Sequence, residues 1–167
     1  MNNRHACPLR GALSNNHSLT GLPPLKKVAI VGSGSVPTTA MSFHKLGVCS
    51  QLTLIDIDDE ALELGQQLLA LADIKAEMVN SPGELFDFSS FDGVYIANLV
   101  QNKRDVLRAC ESQLASGAHL VLRCATLELP GVDSFGPSKV EPQKWKLLKE
   151  GAGSDKFKSK NYFYQKI

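Results

Sequence analysis

The chain has 167 residues, of which 43% are hydrophobic, and a formal net charge of +1. This length predicts one domain with a sizeable buried core. Because basic and acidic residues are almost equal in number, the composition gives no electrostatic case for nucleic acid as a general partner.

The composition also bears on compartment and metals. The four cysteines, Cys7, Cys49, Cys110 and Cys124, form neither a CxxC pair nor a metal-ligand spacing, which is typical of reduced thiols in a cytosolic protein. No apolar run has the length of a membrane span, and the first residues lack the apolar core of a secretory signal. We therefore expect a cytoplasmic protein without a metal site or a membrane partner.

Residues 1–25 precede the first regular pattern. They are rich in asparagine, serine, glycine and proline and show no sustained periodicity, which predicts a flexible leader before a domain over residues 26–167. His5 and His17 lie in this leader. We interpret them as solvated polar residues, since no further metal ligands stand near them.

A βαβ unit opens the predicted domain. Val28–Val31 is a short apolar run typical of a buried parallel strand, and Gly32-Ser33-Gly34 follows as a tight turn through which a ligand can approach the main chain. A second strand is predicted over Gln51–Ile57, with Asp56 at its carboxyl end. A carboxylate at that place can accept hydrogen bonds from two vicinal ribose hydroxyls, so the unit predicts a nucleoside-binding site.

The turn departs from the dinucleotide fingerprint, because Pro37 stands at the third glycine position and is placed in the first turn of the next helix. The fingerprint turn of NAD enzymes holds a pyrophosphate. S-adenosylmethionine has no pyrophosphate, so its binding does not require a turn that holds one. We therefore interpret the unit as an S-adenosylmethionine site, with an ordinary tight turn and a surface aspartate as the alternative.

The remaining chain continues the alternation of strand and helix. The predicted helices are Asp59–Ala72, a brief Glu84–Phe88, and Lys103–Leu114 with Cys110 in the core. The predicted strands are Lys75–Val79, a fourth strand and its exit over Phe91–Val100, Ala118–Cys124, and then Gln143–Leu148 and Asn161–Ile167 joined through Glu150–Ser154. Five parallel strands closed by this antiparallel hairpin make seven. The pattern predicts an α/β fold, the class I methyltransferase-like Rossmann fold.

Ligands of open α/β sheets bind at the carboxyl ends of the strands, which selects the candidate residues. The predicted cofactor-binding residues are Gly32, Ser33, Gly34, Ser35, Asp56, Ile57, Asn80, Ser81, Ala97 and Asn98. The loop Asn80-Ser81-Pro82-Gly83 either faces the adenine or forms a plain turn. Arg123 either holds a substrate carboxylate through a bidentate pair or ties a loop to the sheet.

Four segments in order resemble the nicotianamine synthase family, which includes the bacterial opine-metallophore enzymes. Gly32–Thr39 is similar to its GSGPLPLT turn, Asp56-Ile57-Asp58 to its DID, Phe91–Val100 to its YDVVFLAALV segment, and Gly117–Ala125 to its GA-hydrophobic-LRSA segment. The departures of the chain from these segments include Ser35 in place of proline, Asn98 in place of the usual alanine, and Thr126 in place of histidine.

The resemblance implies a transferase of metallophore biosynthesis that moves the 3-amino-3-carboxypropyl group of S-adenosylmethionine to an amine or amino-acid acceptor and releases methylthioadenosine. In the family, acceptor-side and catalytic residues lie largely in a helical domain before the glycine turn. We therefore expect them to come from a helical partner chain or another copy, and no catalytic residue is assigned. A small methyltransferase and a non-catalytic cofactor-binding scaffold remain alternatives.

Overall fold

The computed structural model describes residues 22–125, 140, 143–152 and 159–167. Residues 1–21 of the predicted leader, including His5 and His17, lie outside the described residues, as do Thr126 and residues 153–154 of the predicted hairpin turn. The boundary predicted between a leader and a domain therefore remains a prediction.

Strands and helices alternate along the described chain. In order they are β1 (Leu25–Val31), α1 (Thr38–Leu46), β2 (Cys49–Asp56), α2 (Asp59–Leu71), β3 (Glu77–Asn80), a 3-10 helix (Gly83–Leu85), β4 (Gly93–Ile96), α3 (Lys103–Gln113), β5 (His119–Ala125), β6 (Trp145–Ala152) and β7 (Ser159–Lys166). None of these helices is long and apolar enough to cross a membrane.

The seven strands form one sheet in the order β3-β2-β1-β4-β5-β7-β6. The first five are parallel, and β7 lies between β5 and β6, antiparallel to both. The predicted seven-stranded fold with a C-terminal antiparallel hairpin is confirmed. Strand order reverses between β1 and β4, and an open α/β sheet binds its ligand at such a point.

Several predicted boundaries are wrong in detail. Residues Glu150–Ala152, expected in the hairpin turn, continue β6, which carries a register shift between Leu147 and Lys149 against β7. A β-bulge allows a strand to continue pairing beyond an irregular residue. Strand β6 therefore extends further along the chain than its apolar residues predict. The brief helix predicted after β3 is a single 3-10 turn, whereas β4 ends at Ile96 within the range predicted for the strand and its exit.

Apolar side chains pack on both faces of the sheet, as expected when helices cover a parallel sheet. One core cluster includes Ile96, Leu120, Leu122, Trp145 and Cys110 of α3. The other includes Ile30, Leu54, Tyr95, Phe163 and Phe43 of α1. Cys110 is fully buried, and this burial raises the pKa of its thiol. The prediction that Cys110 is a core residue is confirmed.

Helix α2 begins at a side-chain cap and packs against the glycine turn. The Asp58 carboxylate accepts a hydrogen bond from the Ala61 amide at 3.1 Å, which satisfies one of the free donors at the helix start. Further along, a Cβ added to Gly65 would stand 3.3 Å from the Gly34 carbonyl oxygen and 3.7 Å from Pro37 Cδ. The small residue therefore allows α2 to lie directly behind the turn.

Candidate functional site

A cleft of about 330 Å³ opens at the carboxyl ends of β1, β2, β3 and β4. It spans the point where strand order reverses, which is the position expected for a ligand site. Its walls come from the four segments that follow these strands. The lining residues are Val31, Gly32, Gly34, Ile55, Asp56, Ile57, Ser81, Pro82, Gly83, Glu84, Leu99, Val100, Gln101 and Asn102.

Asp56 ends β2 and joins two of these segments. Its Oδ2 accepts a hydrogen bond from the Gly34 amide at 2.8 Å, and its Oδ1 accepts one from the Asp58 amide at 3.2 Å. An ionised carboxylate offers about four lone-pair positions. Two acceptor positions therefore remain for a ligand, while the bonds to the main chain fix the direction of the carboxylate.

The glycine turn takes backbone conformations that other residues rarely adopt. Gly32 has φ 74° and Gly34 has φ 64°. A Cβ added to Gly32 would stand 2.5 Å from Val100 Cγ2, whereas one added to Gly34 would meet nothing within 4 Å. Gly32 thus allows the segment after β4 to pack closely against the turn. Gly34 is required only for its positive φ, since a side chain there would have space.

The segment after β3 bonds to the segment after β4 through side chains and to the end of β2 through the main chain. Asn102 Nδ2 donates to Glu84 Oε1 at 3.2 Å, and the Ser81 amide donates to the Asp56 carbonyl oxygen at 3.0 Å. Asn80 instead donates through Nδ2 to the Ile57 carbonyl oxygen at 3.2 Å. The Asn80 side chain therefore fixes the turn after β2.

Two aliphatic side chains at the cleft are exposed to solvent. Ile57 follows β2 and is 73% exposed, and Leu99 follows β4 and is 75% exposed. Both line the cleft. Single exposed aliphatic residues are common on protein surfaces, but a pair beside a cleft offers apolar contacts to a flat ring.

The segment after β4 is held from inside the protein by Lys103, the first residue of α3. The Lys103 side chain is buried, with 2% of the residue exposed, and its Nζ donates a hydrogen bond to the Asn98 carbonyl oxygen. Lys103 also lies near Cys124, where burial raises the pKa of the thiol to about 11 and the lysine charge opposes that rise. The cation therefore fixes the backbone at the exit of β4.

The structure brings together half of the predicted cofactor-binding residues. Gly32, Gly34, Asp56, Ile57 and Ser81 line the cleft, while Ser33, Ser35, Asn80, Ala97 and Asn98 do not. These five residues belong to segments of the chain that contribute other residues to the cleft lining. Because no ligand contact is observed, the binding role of each of the ten remains a prediction.

Sequence reasoning missed part of two walls. Pro82, Gly83 and Glu84 form one, of which only Glu84 was missed, and Leu99–Asn102 form the other. Gly83 allows close packing, since a Cβ there would stand 2.5 Å from Val31 Cγ1. The position of these residues after β3 and β4 was the available signal, because strand ends define the crevice whatever side chains follow them.

Arg123 of β5 lies outside the cleft lining. Its Nε donates to Ser159 Oγ at 3.0 Å, and its Nη1 donates to the Tyr95 hydroxyl at 3.5 Å. These contacts join Arg123 to β7 and β4, and its two predicted roles, holding a substrate carboxylate or tying a loop to the sheet, remain predictions. Both partners are uncharged, so the described contacts leave the guanidinium charge without a counterion. Among the described residues, no group of three or more metal-ligating side chains is present.

Comparison with known families identifies the group to which the chain is related. The profile described as "Nicotianamine synthase protein" matches residues 13–145. The chain belongs to the nicotianamine synthase family. The resemblance noted in the four sequence segments is therefore confirmed. A search of the curated protein sequences finds no match.

Solved structures show the same fold at low sequence identity. MtNAS in complex with MTA and tNA matches with a TM-score of 0.71 at 16% identity, over 94% of this chain and 59% of that one. A mutant of MtNAS in complex with S-adenosylmethionine matches with a TM-score of 0.73 at 15% identity, over 94% of this chain and 61% of that one. This nicotianamine synthase family member thus spans about three fifths of the length of MtNAS.

The fold is also shared with methyltransferases. The N-methyltransferase NodS from Bradyrhizobium japonicum WM9, in complex with S-adenosyl-l-homocysteine, matches with a TM-score of 0.69 at 15% identity, over 86% of this chain and 79% of that one. At 15% identity the match shows the fold of this family member and not its reaction.

Proposed function

We propose that the chain binds S-adenosylmethionine and transfers its 3-amino-3-carboxypropyl group to an amine, with release of methylthioadenosine. The observation that carries the proposal is the cleft where strand order reverses, with the Asp56 carboxylate fixed on the glycine turn, in a member of the nicotianamine synthase family. In this proposal Asp56 accepts hydrogen bonds from the two ribose hydroxyls through its remaining lone pairs.

The adenine ring is proposed to lie between Ile57 and Leu99. Both side chains are exposed aliphatic groups of the cleft, and covering them with a flat ring removes apolar surface from water. Glu84 and Asn102 bond to each other across the cleft, from the segments after β3 and β4. They offer polar contacts for the edge of the ring.

The start of α1 supports S-adenosylmethionine over a dinucleotide. Pro37 stands at the helix cap and has no N–H, and the Thr38 amide already donates to the Val36 carbonyl oxygen at 2.8 Å. A pyrophosphate is normally held by free amides at such a helix start. Two of those donors are therefore absent or occupied here, whereas S-adenosylmethionine does not need them.

The acceptor side of the reaction is proposed to need groups from outside the described residues. Asp56 and Glu84 are the acidic residues that line the cleft, and both are engaged in hydrogen bonds. Amine attack requires a base that frees the nitrogen lone pair. We propose that a helical partner or another copy supplies that base, and we propose Arg123 as the group that holds a substrate carboxylate.

The three carbons bonded to a sulfonium are all electrophilic, so positioning of the acceptor decides which bond breaks. Transfer of the aminocarboxypropyl group forms a carbon–nitrogen bond and leaves methylthioadenosine, and the acceptor amine loses a proton. Transfer of the methyl group leaves S-adenosylhomocysteine instead. The nucleoside product therefore distinguishes the two reactions before the acceptor is known.

The test combines binding with product analysis. Calorimetry of the purified chain should show binding of S-adenosylmethionine and S-adenosylhomocysteine in preference to NAD. With simple amines alone, turnover should be slow or absent, and addition of an acceptor-side partner should release methylthioadenosine on chromatography. Robust formation of S-adenosylhomocysteine by the isolated chain would overturn both the proposed reaction and the need for outside groups. NAD binding without any response to S-adenosylhomocysteine would overturn the cofactor.

A further inference from the structure

Helix α2 carries two apolar faces, of which the fold uses one. Leu62, Gly65 and Leu69 form the buried face. The second face lies beside it and includes two strongly exposed side chains, Leu64 at 52% and Leu71 at 86%, together with two half-buried residues. We name this second face the leucine stripe, which consists of Ala61, Leu64, Leu68 and Leu71.

The spacing of the leucine stripe is that of a short seam between two helices. Its members follow one another at intervals of three, four and three residues, the a/d spacing by which two helices interlock. Single exposed leucines are ordinary on a protein surface. Four apolar positions in this register indicate a surface that packs against a second helix. Because Leu64 and Leu71 are exposed, no helix of the described residues fills that place.

The charges of α2 restrict how a second copy of the chain could pack on the stripe. Asp59, Glu60 and Glu63 lie in the first half of the helix, and the helix has no lysine or arginine. Parallel packing of two copies would bring these carboxylates together, which is unfavourable. Antiparallel packing separates them and places the positive end of each helix dipole beside the negative end of the other.

A basic residue lies where the antiparallel arrangement requires one. Lys75 follows the end of α2 and is exposed. One shallow groove beside the helix is lined by Glu60, Glu63 and Gln66, and the next is lined by Lys75 and again by Gln66, so these charges lie on the same side of α2. In a two-fold antiparallel pair, equivalent sides of the two helices are neighbours. Lys75 of each copy therefore comes close to Glu60 of the other.

The sizes of the apolar side chains also complement one another in this arrangement. In the register that places Leu64 of one copy opposite Leu68 of the other, Leu71 lies opposite Ala61. The most exposed leucine of the stripe thus meets its smallest residue. The stripe is therefore complementary to itself in shape and in charge, as a two-fold interface requires.

We infer that the leucine stripe of α2 is the surface through which two copies of the chain form an antiparallel, two-fold dimer. The stripe does not line the cleft, so the inference does not depend on the proposed function. The seam is short, and association also costs translational and rotational freedom. The dimer is therefore weak, with a Kd in the micromolar range.

Sedimentation equilibrium of the purified chain over a range of concentrations tests the dimer. The wild type should show a monomer–dimer equilibrium, and Leu64→Ala/Leu71→Ala should raise the dimer Kd by about tenfold or more, because the apolar area buried between the copies is smaller. Alanine is the best helix former, and circular dichroism reports whether the helix content is kept. Leu147→Glu changes a leucine of β6 with 46% exposure and should leave the dimer Kd unchanged.

Three outcomes of this experiment would overturn the inference. The first is a wild-type chain that stays monomeric up to millimolar concentration. The second is a Leu64→Ala/Leu71→Ala variant, with wild-type helix content, that dimerises as well as the wild type. The third is loss of the dimer in Leu147→Glu alone, which would assign the interface to the edge of the sheet at β6.

Charge reversal tests the orientation of the two helices. Glu60→Lys should raise the dimer Kd about two- to fivefold in the antiparallel arrangement, the scale of a surface ion pair, because it faces Lys75 of the second copy. Lys75→Glu should have a similar effect, and Glu60→Lys/Lys75→Glu should restore the wild-type Kd. Tighter association of Glu60→Lys would show that the carboxylates of the two copies lie together, which would overturn the antiparallel dimer.

Discussion

The Asp56 carboxylate accepts a hydrogen bond from the Gly34 amide at 2.8 Å, so the residue expected to bind ribose also fixes the glycine turn. A second bond from the Asp58 amide holds the other oxygen. The turn after β1 and the carboxylate after β2 thus form one unit before any ligand is present. Prearranged groups of this kind reduce the free-energy cost of ordering the site on binding.

Removal of this carboxylate should weaken cofactor binding. Asp56→Ala is expected to weaken the binding of S-adenosylmethionine by about 1.5 to 3 kcal/mol, the range for hydrogen bonds to a charged group. Asp56→Asn keeps one acceptor oxygen and should lose less. Calorimetry measures both, with exposed Asp59→Ala as the control. An unchanged affinity in folded Asp56→Ala would show that ribose is held elsewhere.

The two glycines of the turn should respond differently to alanine. Gly34→Ala places a side chain at φ 64° in open space, so we expect a loss of about 1–2 kcal/mol in the free energy of unfolding from backbone strain alone. Gly32→Ala should cost more, because its Cβ would stand 2.5 Å from Val100 Cγ2. Urea unfolding of both variants measures the difference.

A double mutant identifies the cause of the extra cost at Gly32. Val100→Ala removes the methyl group that Gly32→Ala meets. The Gly32→Ala/Val100→Ala double mutant should therefore lose less stability than the sum of the two single changes. Additive losses would contradict a clash with Val100 and leave backbone strain as the cause.

Burial of His119 predicts a pH dependence of stability. Its imidazole is 7% exposed, Nδ1 has no partner among the described residues, and the pKa is lowered from 6.5 because burial disfavours the charged form. The folded pKa lies below the unfolded one, so the unfolded state binds the proton first as the pH falls. This contribution to stability is fully present above pH 6.5 and is lost as the pH falls from there toward the folded pKa.

The histidine effect can be isolated by comparing two variants. His119→Leu suits the apolar neighbours Leu22, Leu25 and Val121, which line the same small cavity, and it should flatten the change in unfolding free energy between about pH 7 and pH 5.5. His44 is exposed on α1, so His44→Leu should keep the wild-type slope. The same slope in His119→Leu as in the wild type would assign the pH dependence to other groups.

The first five strands, and the position of Asp56 at the end of β2, were predictable from sequence because they depend on local patterns. Apolar β-branched runs indicate buried parallel strands, and turn residues separate them. The cap of α2 by Asp58 is local in the same way, since it is a contact over three residues. These features required no knowledge of the sheet order.

The rest of the site depends on contacts between distant segments. Gln101 and Asn102 belong to no motif. They reach the cleft because they lie in the segment that joins β4 to α3 and because Asn102 meets Glu84. The partners of Arg123 are Tyr95 of β4 and Ser159 of β7. The register of β7 against β5 is a long-range result that local periodicity does not encode.

The buried cation Lys103 provides the last prediction. A lysine in the first turn of α3 is unfavourable for the helix dipole, and burial of its charge adds a further cost, so its bond to the Asn98 carbonyl oxygen is expected to matter for the cleft wall. Lys103→Met keeps a long apolar side chain and removes the donor. Amides of Leu99–Asn102 should then exchange with solvent about tenfold faster or more, as expected for losing a charged hydrogen bond. Arg104→Met, an exposed change at the next position, should leave these amides unchanged. Equal exchange of the 99–102 amides in Lys103→Met and in the wild type would show that the wall is held by its other contacts, such as the bond between Asn102 and Glu84.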